Sequence, residues 1–413
     1  MDGRKVRTLV ALVAAAARLH VGVWSAAVVV AVQAFNLLDR GMPWRGEWNW
    51  AVDWAGSGLI ILGPLLAGLA AVDGGRLRND SRLPQTRLLS RPFRAVIGLW
   101  ATSFVPAAAA YMVSVGVFLY LADSATAVPR TPALLLSLVQ VAAMMAYLLF
   151  GSVVGRLLGA VVGAPTAVIA AIAIYWNLGR SGGGFAPFDV GSATSSLLGL
   201  QFSLEYLLAQ ASYMALFSAI CLTVHAAMES RFRALTATGA VITVVALGAL
   251  PINVPRLGEH PVAATTCTSG EITVCVYPEH ERFLDGLARD VLAVRQAATR
   301  VGIADLLPRS YVERVPGEGT RPADDGRGRL EIMPDYFTSG KVPLANVVYA
   351  MVLPWHCPQL FGEEPPPPAL IDSVARISDA LNAIAESPGS SPKVTREEAR
   401  ETILTINQCE PRS

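Results

Sequence analysis

Charged side chains are scarce in this chain of 413 residues: they make up 16% of it, whereas hydrophobic residues make up 53%. Soluble globular proteins carry charge on about a quarter of their residues, so the composition argues against an ordinary soluble enzyme. Lysine occurs only at Lys5, Lys341 and Lys393, and nearly all positive charge is therefore arginine. The deficit of charge predicts a polytopic membrane protein.

A nucleotide-binding loop is also missing. No Gly-x-x-x-x-Gly-Lys-Ser/Thr sequence occurs in the chain, so it cannot cradle a nucleotide phosphate in the usual way. His280 and Glu281 resemble the start of a zinc-peptidase helix, but the second imidazole would have to stand at the position of Leu284. The sequence therefore predicts no catalytic residue, no cofactor, no metal and no enzyme activity; a membrane enzyme with an unrecognised site is a weaker alternative.

Long apolar runs are what the sequence has instead. A bilayer with a hydrocarbon core of roughly 30 Å needs about 20 helical residues. Runs of this kind fall near residues 19–38, 55–72, 95–121, 132–154, 157–178, 205–228 and 235–251. Residues 1–18 are basic and predict an amphipathic elbow helix on the inner membrane surface. A cleavable signal peptide is the alternative, but no small-residue cleavage site is obvious before Leu38.

The basic residues are distributed unevenly between the loops. The N-terminus, residues 73–94, the turn at Arg156 and residues 229–234 contain thirteen Lys and Arg, whereas residues 39–54, 122–131 and 179–204 contain four. Because Lys and Arg are retained on the cytoplasmic side, the N-terminus is predicted inside and residues 252–413, after seven crossings, outside the cell membrane. Trp44, Trp48, Trp50 and Trp54 are then expected to form an aromatic belt at the outer interface.

Residues 252–413 form the second predicted domain, and its charge is opposite to that of the first part. Residues 1–251 contain 17 basic and 10 acidic residues, whereas residues 252–413 contain 16 and 22. Phosphate binding needs an excess of Lys and Arg. We therefore predict no nucleic-acid partner.

Four of the five cysteines, Cys267, Cys275, Cys357 and Cys409, lie in this acidic domain. Disulfides persist in oxidising compartments, so the cysteines and the loop charges indicate the same outer location without sharing a residue. Four cysteines permit three pairings, of which we favour Cys267–Cys275 and Cys357–Cys409. Cys221 lies inside an apolar run and is expected to be a small packing residue.

The residue pattern of the same domain predicts a small α+β unit. Strands are expected around Ile272–Val276, at 311–315 and at 329–333, and helices from Pro278 to Val301, near 345–353, at 369–385 and at 395–407. Gly302 is expected to end the first of these helices. Thr395 and Glu398 have the spacing of a capping box at the start of the last.

Four glycines follow one another at four-residue spacing: Gly151, Gly155, Gly159 and Gly163. Such a series lets helices approach closely, because no side chain intervenes. It predicts helix packing, with a turn near Arg156. A pore-lining interface that slides during transport is the alternative.

Ionisable residues near the apolar runs are costly in hydrocarbon, and each is a candidate site by default. Glu205, His225 and Glu229 belong to this group. All three lie close to the predicted ends of the sixth run, where water or headgroups can solvate them.

A basic loop follows the second run, and Ser90 to Arg94 form a small-Pro-x-Arg turn into the third. In the stretch from Gly68 to Trp100, in the amphipathic N-terminal segment and in a six-span unit with both ends inside, the chain resembles exporter-type (type 2) ABC transporter permeases. The resemblance implies a membrane α-helical bundle with a six-span core at 19–234. A seventh span at 235–251 and a small α+β extracytoplasmic domain at 252–413 are additions to it. Asp73 stands where the family commonly has Glu at the start of the coupling loop.

The resemblance also implies a function: the membrane-spanning permease subunit of an ABC-type transporter, acting in export and energised by a separate ATPase. Arg82, Arg87 and Arg91 are then expected to form the ATPase-docking loop, the alternative being that they only fix orientation. The partners would be the ATPase, a second copy or a sister permease, and the lipid membrane. A membrane-anchored extracellular binding or sensor protein without transport activity is the competing hypothesis.

Overall fold

Long helices dominate the first part of the chain. The computed structural model describes residues 21–39, 41–79, 92–122, 131–179, 185–193, 196–227, 254–259, 265–268, 270–314, 325–332, 342–357, 367–387, 389, 391 and 394–409. A 3-10 turn at Val21–Trp24 leads into the helices α1 (Ser25–Leu38), α2 (Trp48–Ser57), α3 (Leu59–Asn79), α4 (Pro92–Ala122), α5 (Thr131–Leu158), α6 (Ala160–Leu178) and α7 (Leu204–Ala227). We call these seven helices the helix bundle.

Within the described residues, five stretches of helix are long and apolar enough to cross a membrane, which fits a membrane helical bundle. They are Trp48–Arg76, Trp100–Ala122, Ala133–Leu158, Ala160–Leu178 and Leu204–His225. They correspond to the second to sixth predicted runs. The first run is represented by α1, which has 14 residues and is shorter than a typical span. The elbow helix at 1–18 and the seventh span at 235–251 lie outside the described residues.

Helices α2 and α3 are nearly one continuous helix, although the sequence predicted a loop as far as residue 54. Only Gly58 separates them; it keeps right-handed helical dihedrals, and its N–H donates to the Ala55 carbonyl at 3.3 Å. Leu62 N–H in turn donates to the Gly58 carbonyl at 2.9 Å. We call residues Trp48–Arg76 the rod; its 29 residues extend for about 43 Å at 1.5 Å per residue.

Glycine sets the packing of the rod against α5 and α6. A Cβ atom at Gly151 would meet the backbone of Ala67, and one at Gly155 would meet the backbone of Ala71, so α3 and α5 run parallel with their backbones in contact. Gly75 approaches Ala160 and Gly68 approaches Val168, which makes α6 antiparallel to α3. Two parallel helices and one antiparallel helix are what alternating crossings require.

The chain turns between α5 and α6 at a single residue. Gly159 has φ +83° and no atoms near its Cβ position, whereas a Cβ at Gly163 would lie 2.8 Å from the Cα of Gly155. A straight helix would separate those two residues by about 12 Å. Three of the glycines in the series therefore make close helix contacts, and Gly159 makes the turn that the sequence predicted near Arg156.

Residues on either side of α7 show that the chain returns to the end of the bundle where this helix begins. Strand β1 (Leu200–Phe202) precedes α7 and pairs antiparallel with β2 (Leu257–Glu259). Ser203 N–H also donates to the Arg256 carbonyl at 2.9 Å. The chain thus leaves the bundle at Ala227, at the far end of a 24-residue helix, and lies at the near end again by Val254.

The remaining described residues, 254–409, are called the C-terminal region. A four-stranded sheet has the order β3 (Thr266–Cys267), β4 (Thr273–Val276), β5 (Ser310–Glu313) and β6 (Gly328–Leu330), with β3 antiparallel and the others parallel. The helices are α8 (Leu284–Arg300), α9 (Leu344–Val352), α10 (Pro368–Glu386) and α11 (Arg396–Asn407). The elements lie within a few residues of their predicted positions. Thr395 Oγ1 accepts from Glu398 N–H at 3.2 Å, as a capping box requires, and Gly302 has φ +76° after α8.

Two disulfides brace the C-terminal region. One joins Cys267 to Cys275 across β3 and β4, and the other joins Cys357, after α9, to Cys409, after α11. These are the favoured pairs of the three possible. Cys221 is buried in α7 with a free thiol, in agreement with a packing role.

Candidate junction between the helix bundle and the C-terminal region

Three ionisable side chains from distant parts of the chain meet in a buried cluster. His280 lies between Glu313 and Glu47: its Nδ1 contacts Glu313 Oε1, and its Nε2 lies 3.2 Å from Glu47 Oε1. All three residues are less than 5% exposed. Glu47 belongs to the helix bundle and the other two to the C-terminal region, so the cluster joins the two parts.

Each side chain of the cluster is positioned by local backbone structure. Glu47 directly precedes α2, and Gly46 has φ +99° because its backbone passes close to the carbonyl of Glu279. His280 lies in the 3-10 turn that Pro278 opens after β4, and Glu313 ends β5. Strand β5 pairs with β4, which brings Glu313 beside that turn.

Both carboxylates are also held by backbone donors. Leu197 N–H donates to Glu47 Oε2 at 2.8 Å, and Tyr277 N–H donates to Glu313 Oε2 at 2.9 Å. Burial alone would lower the pKa of His280, but the adjacent carboxylates of Glu313 and Glu47 outweigh it and raise the pKa to about 10. The imidazole is therefore a cation at neutral pH, with one carboxylate at each nitrogen.

A second buried ion pair lies near the first cluster. Arg256, beside β2, forms an ion pair with Asp53 of α2, and its other terminal nitrogen lies 3.8 Å from Asp189. Asp53 is fully buried, and its second oxygen accepts from Ala193 N–H at 2.7 Å. Burial opposes the charge of Arg256, yet Asp53 and Asp189 raise its pKa. We use the word junction for these six residues: Glu47, Asp53, Asp189, Arg256, His280 and Glu313.

Amide side chains surround the end of α2, where it meets α3 at Gly58. Gln33 donates to the Ala55 carbonyl at 3.0 Å and Asn36 donates to the Trp54 carbonyl at 2.9 Å. Gln140 of α5 donates to Val52 at 3.0 Å and to Val190 at 2.8 Å, while its oxygen accepts from Tyr111. These bonds provide additional partners for backbone carbonyls of α2 and of the segment that packs beside it.

The tryptophans before and within α2 do not form an aromatic belt. Trp44 and Trp50 are fully buried and Trp54 is 7% exposed, whereas belt residues lie on the lipid-facing surface. Trp44 packs on Phe118 with ring centroids 5.0 Å apart, and Trp50 Nε1 donates to the Ala193 carbonyl at 3.2 Å. The expectation was wrong for Trp44, Trp50 and Trp54, which are buried, because helix α2 extends into what the sequence suggested was a loop; Trp48 is partly exposed.

Other ionisable residues lie at the opposite end of the bundle. Asp73 is 2% exposed and accepts from Val21 N–H at 3.0 Å and from Gly22 N–H at 2.7 Å, so it holds the start of α1. The buried His225 contacts Ser152 Oγ at 2.7 Å, and its carbonyl accepts from Arg156 at 2.9 Å. These contacts tie α7 to α5 near the turn at Gly159.

The other predicted site residues are distributed as follows. Glu205 is exposed in the first turn of α7. Glu229 and the predicted docking residues Arg82, Arg87 and Arg91 lie outside the described residues.

The C-terminal region contains an open groove of about 450 Å³. Its wall combines apolar side chains, among them Leu307, Met351, Trp355 and Ile403, with polar groups from Arg327, His356 and the backbone. His356 lies near Cys357 and Cys409, but the disulfide between those cysteines removes their thiolates as metal ligands.

The junction was not predicted from the sequence. His280 was considered only as part of a metal motif, and its partners are 33 and 233 positions away. No local spacing relates such residues. One available signal was chemical: Glu47 stands among tryptophans at the start of a long apolar run, where an acidic residue needs a partner.

Comparison of the chain with protein-family models, curated proteins and solved structures gives no match.

Proposed function

We propose that the protein is the membrane-spanning permease subunit of an ABC-type exporter, energised by a separate ATPase, with residues 252–413 on the outer side of the cell membrane. The single observation that carries this proposal is the set of buried polar groups around Gly58, where α2 meets α3. Asp53 and Gln140 are fully buried within candidate spans. Polar groups are costly in hydrocarbon, and those found within spans commonly mark a transport pathway.

The residues at the two ends of the helix bundle support the same topology. Asp73, Arg156 and His225 lie at one end of the bundle, and the junction lies at the other. The arginine-rich segment that follows α3 is connected to the first of these ends, on which the loop charges predict the cytoplasm. Two disulfides in the C-terminal region are in keeping with an oxidising compartment.

The proposal is tested by purification of the tagged protein from its native membranes, followed by identification of bound proteins by mass spectrometry. An ATPase with a phosphate-binding loop is expected in comparable amount. A variant with Arg82→Ala, Arg87→Ala and Arg91→Ala should retain at most about a tenth of it, which corresponds to a loss of 1.4 kcal/mol. The matched control removes the same charge from the opposite loops, with Arg40→Ala, Arg130→Ala and Arg180→Ala, and should retain all of it. Absence of an ATPase from the wild-type sample contradicts the proposal.

A membrane-anchored binding or sensor protein is the second candidate function, and the groove beside Trp355 favours it. A volume of about 450 Å³ falls in the range of small-ligand sites, and the wall offers both apolar side chains and polar groups to a ligand. An anchor needs no ATPase. The purification experiment therefore distinguishes the two candidates directly.

A further inference from the structure

The C-terminal region holds the rod at two points near its beginning. His280 binds Glu47, which precedes the first residue of the rod, and Arg256 binds Asp53 within its second turn. Glu47, His280 and Asp53 are buried and Arg256 is partly buried, and removing one partner of such a charged pair leaves an uncompensated charge. The first turns of the rod are therefore tied to the position of residues 254–313.

The far end of the rod is tied to other helices. Asp73 binds the backbone at the start of α1, Gly74 approaches Ser152 of α5, and Gly75 approaches Ala160 of α6. Between the two ends, Ala67 and Ala71 are in backbone contact with Gly151 and Gly155 of α5, and this packing leaves little room for a lateral shift of α3. A displacement at the junction therefore passes along the helix and changes the contacts at Asp73.

We propose that the rod is the regulatory connection of the protein: the C-terminal region controls the end of α3 by holding the rod at Asp53 and, directly before its first residue, at Glu47. This inference rests on the proposed function only for the consequence, which is control of ATP hydrolysis by the bound ATPase. The mechanical connection itself concerns only this chain.

The test is hydrogen exchange on the full-length protein in lipid nanodiscs, measured by mass spectrometry. The variant His280→Gln, Arg256→Gln removes both cations while keeping side chains of moderate size. We expect amide exchange to rise roughly tenfold both in residues 48–57 and in residues 70–79. The control variant Asp305→Asn, Arg400→Gln removes an exposed ion pair of the C-terminal region, where the partners are 60% and 48% exposed, and should leave both segments unchanged.

Faster exchange confined to residues 48–57 overturns the inference, since the contacts of the junction would then affect only the start of the rod. If the double variant fails to fold, the single variant Arg256→Lys replaces it. This variant keeps the charge but loses the two-pronged geometry, and a rise of about threefold in both segments is expected. An unchanged 70–79 segment in that variant also overturns the inference.

ATP hydrolysis provides the second measurement. With the ATPase bound, the double variant should change the basal rate by at least about twofold, and the control variant should not. An unchanged rate with a bound ATPase overturns regulation by the rod. If no ATPase binds to the wild type, the proposed function fails, and the exchange at residues 70–79 alone decides whether the mechanical connection exists.

Discussion

The helix bundle and the C-terminal region bring their elements together in different ways. In the bundle, glycine lets backbones touch, and the amides of Gln33, Asn36 and Gln140 bond carbonyls at the end of α2. In the C-terminal region, amphipathic helices cover a small sheet and two disulfides add cross-links. Buried opposite charges join the two regions. The comparison shows that fully charged side chains hold the boundary between the two regions, because a contact between distant parts of the chain must there be both strong and specific.

The largest effect is expected from breaking the backbone contact in the bundle. Gly155→Leu places a side chain on the backbone of Ala71, which cannot move without separating α3 from α5. A cost of more than about 4 kcal/mol is expected, enough to prevent recovery of folded protein. Fluorescence-detected size-exclusion chromatography measures it. Gly116→Leu, at an exposed helical glycine with open space around it, should elute like the wild type, and equal profiles for the two variants would contradict the packing argument.

The next largest effect on stability is expected from removal of the disulfides of the C-terminal region. The disulfide between Cys357 and Cys409 has a sequence separation of 52, against 8 for Cys267 and Cys275. Loop-closure entropy predicts a loss of about 4 kcal/mol when the first pair is replaced by serine and about 2.5 kcal/mol for the second. Thermal unfolding of the solubilised protein compares the two double variants. A lower melting temperature for the variant lacking the short-range pair would be the opposite of the expected order.

The amide network of the bundle should contribute less. Gln140→Leu leaves Tyr111 and the carbonyls of Val52 and Val190 without this partner, at an expected cost of about 1–3 kcal/mol. Asn177→Leu is the control, because this exposed amide bonds only the Ala173 carbonyl of its own helix. Melting temperatures of the two variants should differ clearly, and identical values would show that the network is dispensable.

The last expected effect is a pH dependence of the junction. The pKa of His280 is raised to about 10, against about 6.5 in an unfolded chain. The stabilisation is therefore complete below about pH 6.5 and is lost as the pH rises through about 10. Glu279, whose pKa burial raises, faces the same cluster together with Glu47 and Glu313. Between pH 6.5 and 10 the melting temperature of the wild type should fall by several degrees more than that of His280→Gln. If the melting temperatures of the two proteins fall in parallel as the pH rises, the decline is due to titratable groups other than His280.

Patterns with a short period predicted most of the fold. The spans around α4 to α7 follow from the length of their apolar runs, and α8, α10 and α11 follow from helical periodicity and caps. The two disulfides also lie where the favoured pairing put them. The helices depend on residues that are neighbours in sequence, and the disulfides required only a choice among three possible pairings.

The junction depends on contacts that no local pattern encodes. Arg256 and Asp53 are 203 positions apart, and the sequence around His280 does not indicate its two carboxylate partners. The burial of Trp44 and Trp50 was missed for the same reason: hydropathy places an aromatic residue near an interface but does not say which side of the helix is covered.

The single-residue turn at Gly159 has a consequence for how the protein is made. Helices α5 and α6 have 28 and 19 residues, and each is apolar enough to cross a membrane. One glycine is too short a connection for the two helices to insert in separate steps. We therefore expect them to enter a bilayer together as a hairpin, and we expect a longer turn to let them insert one after the other.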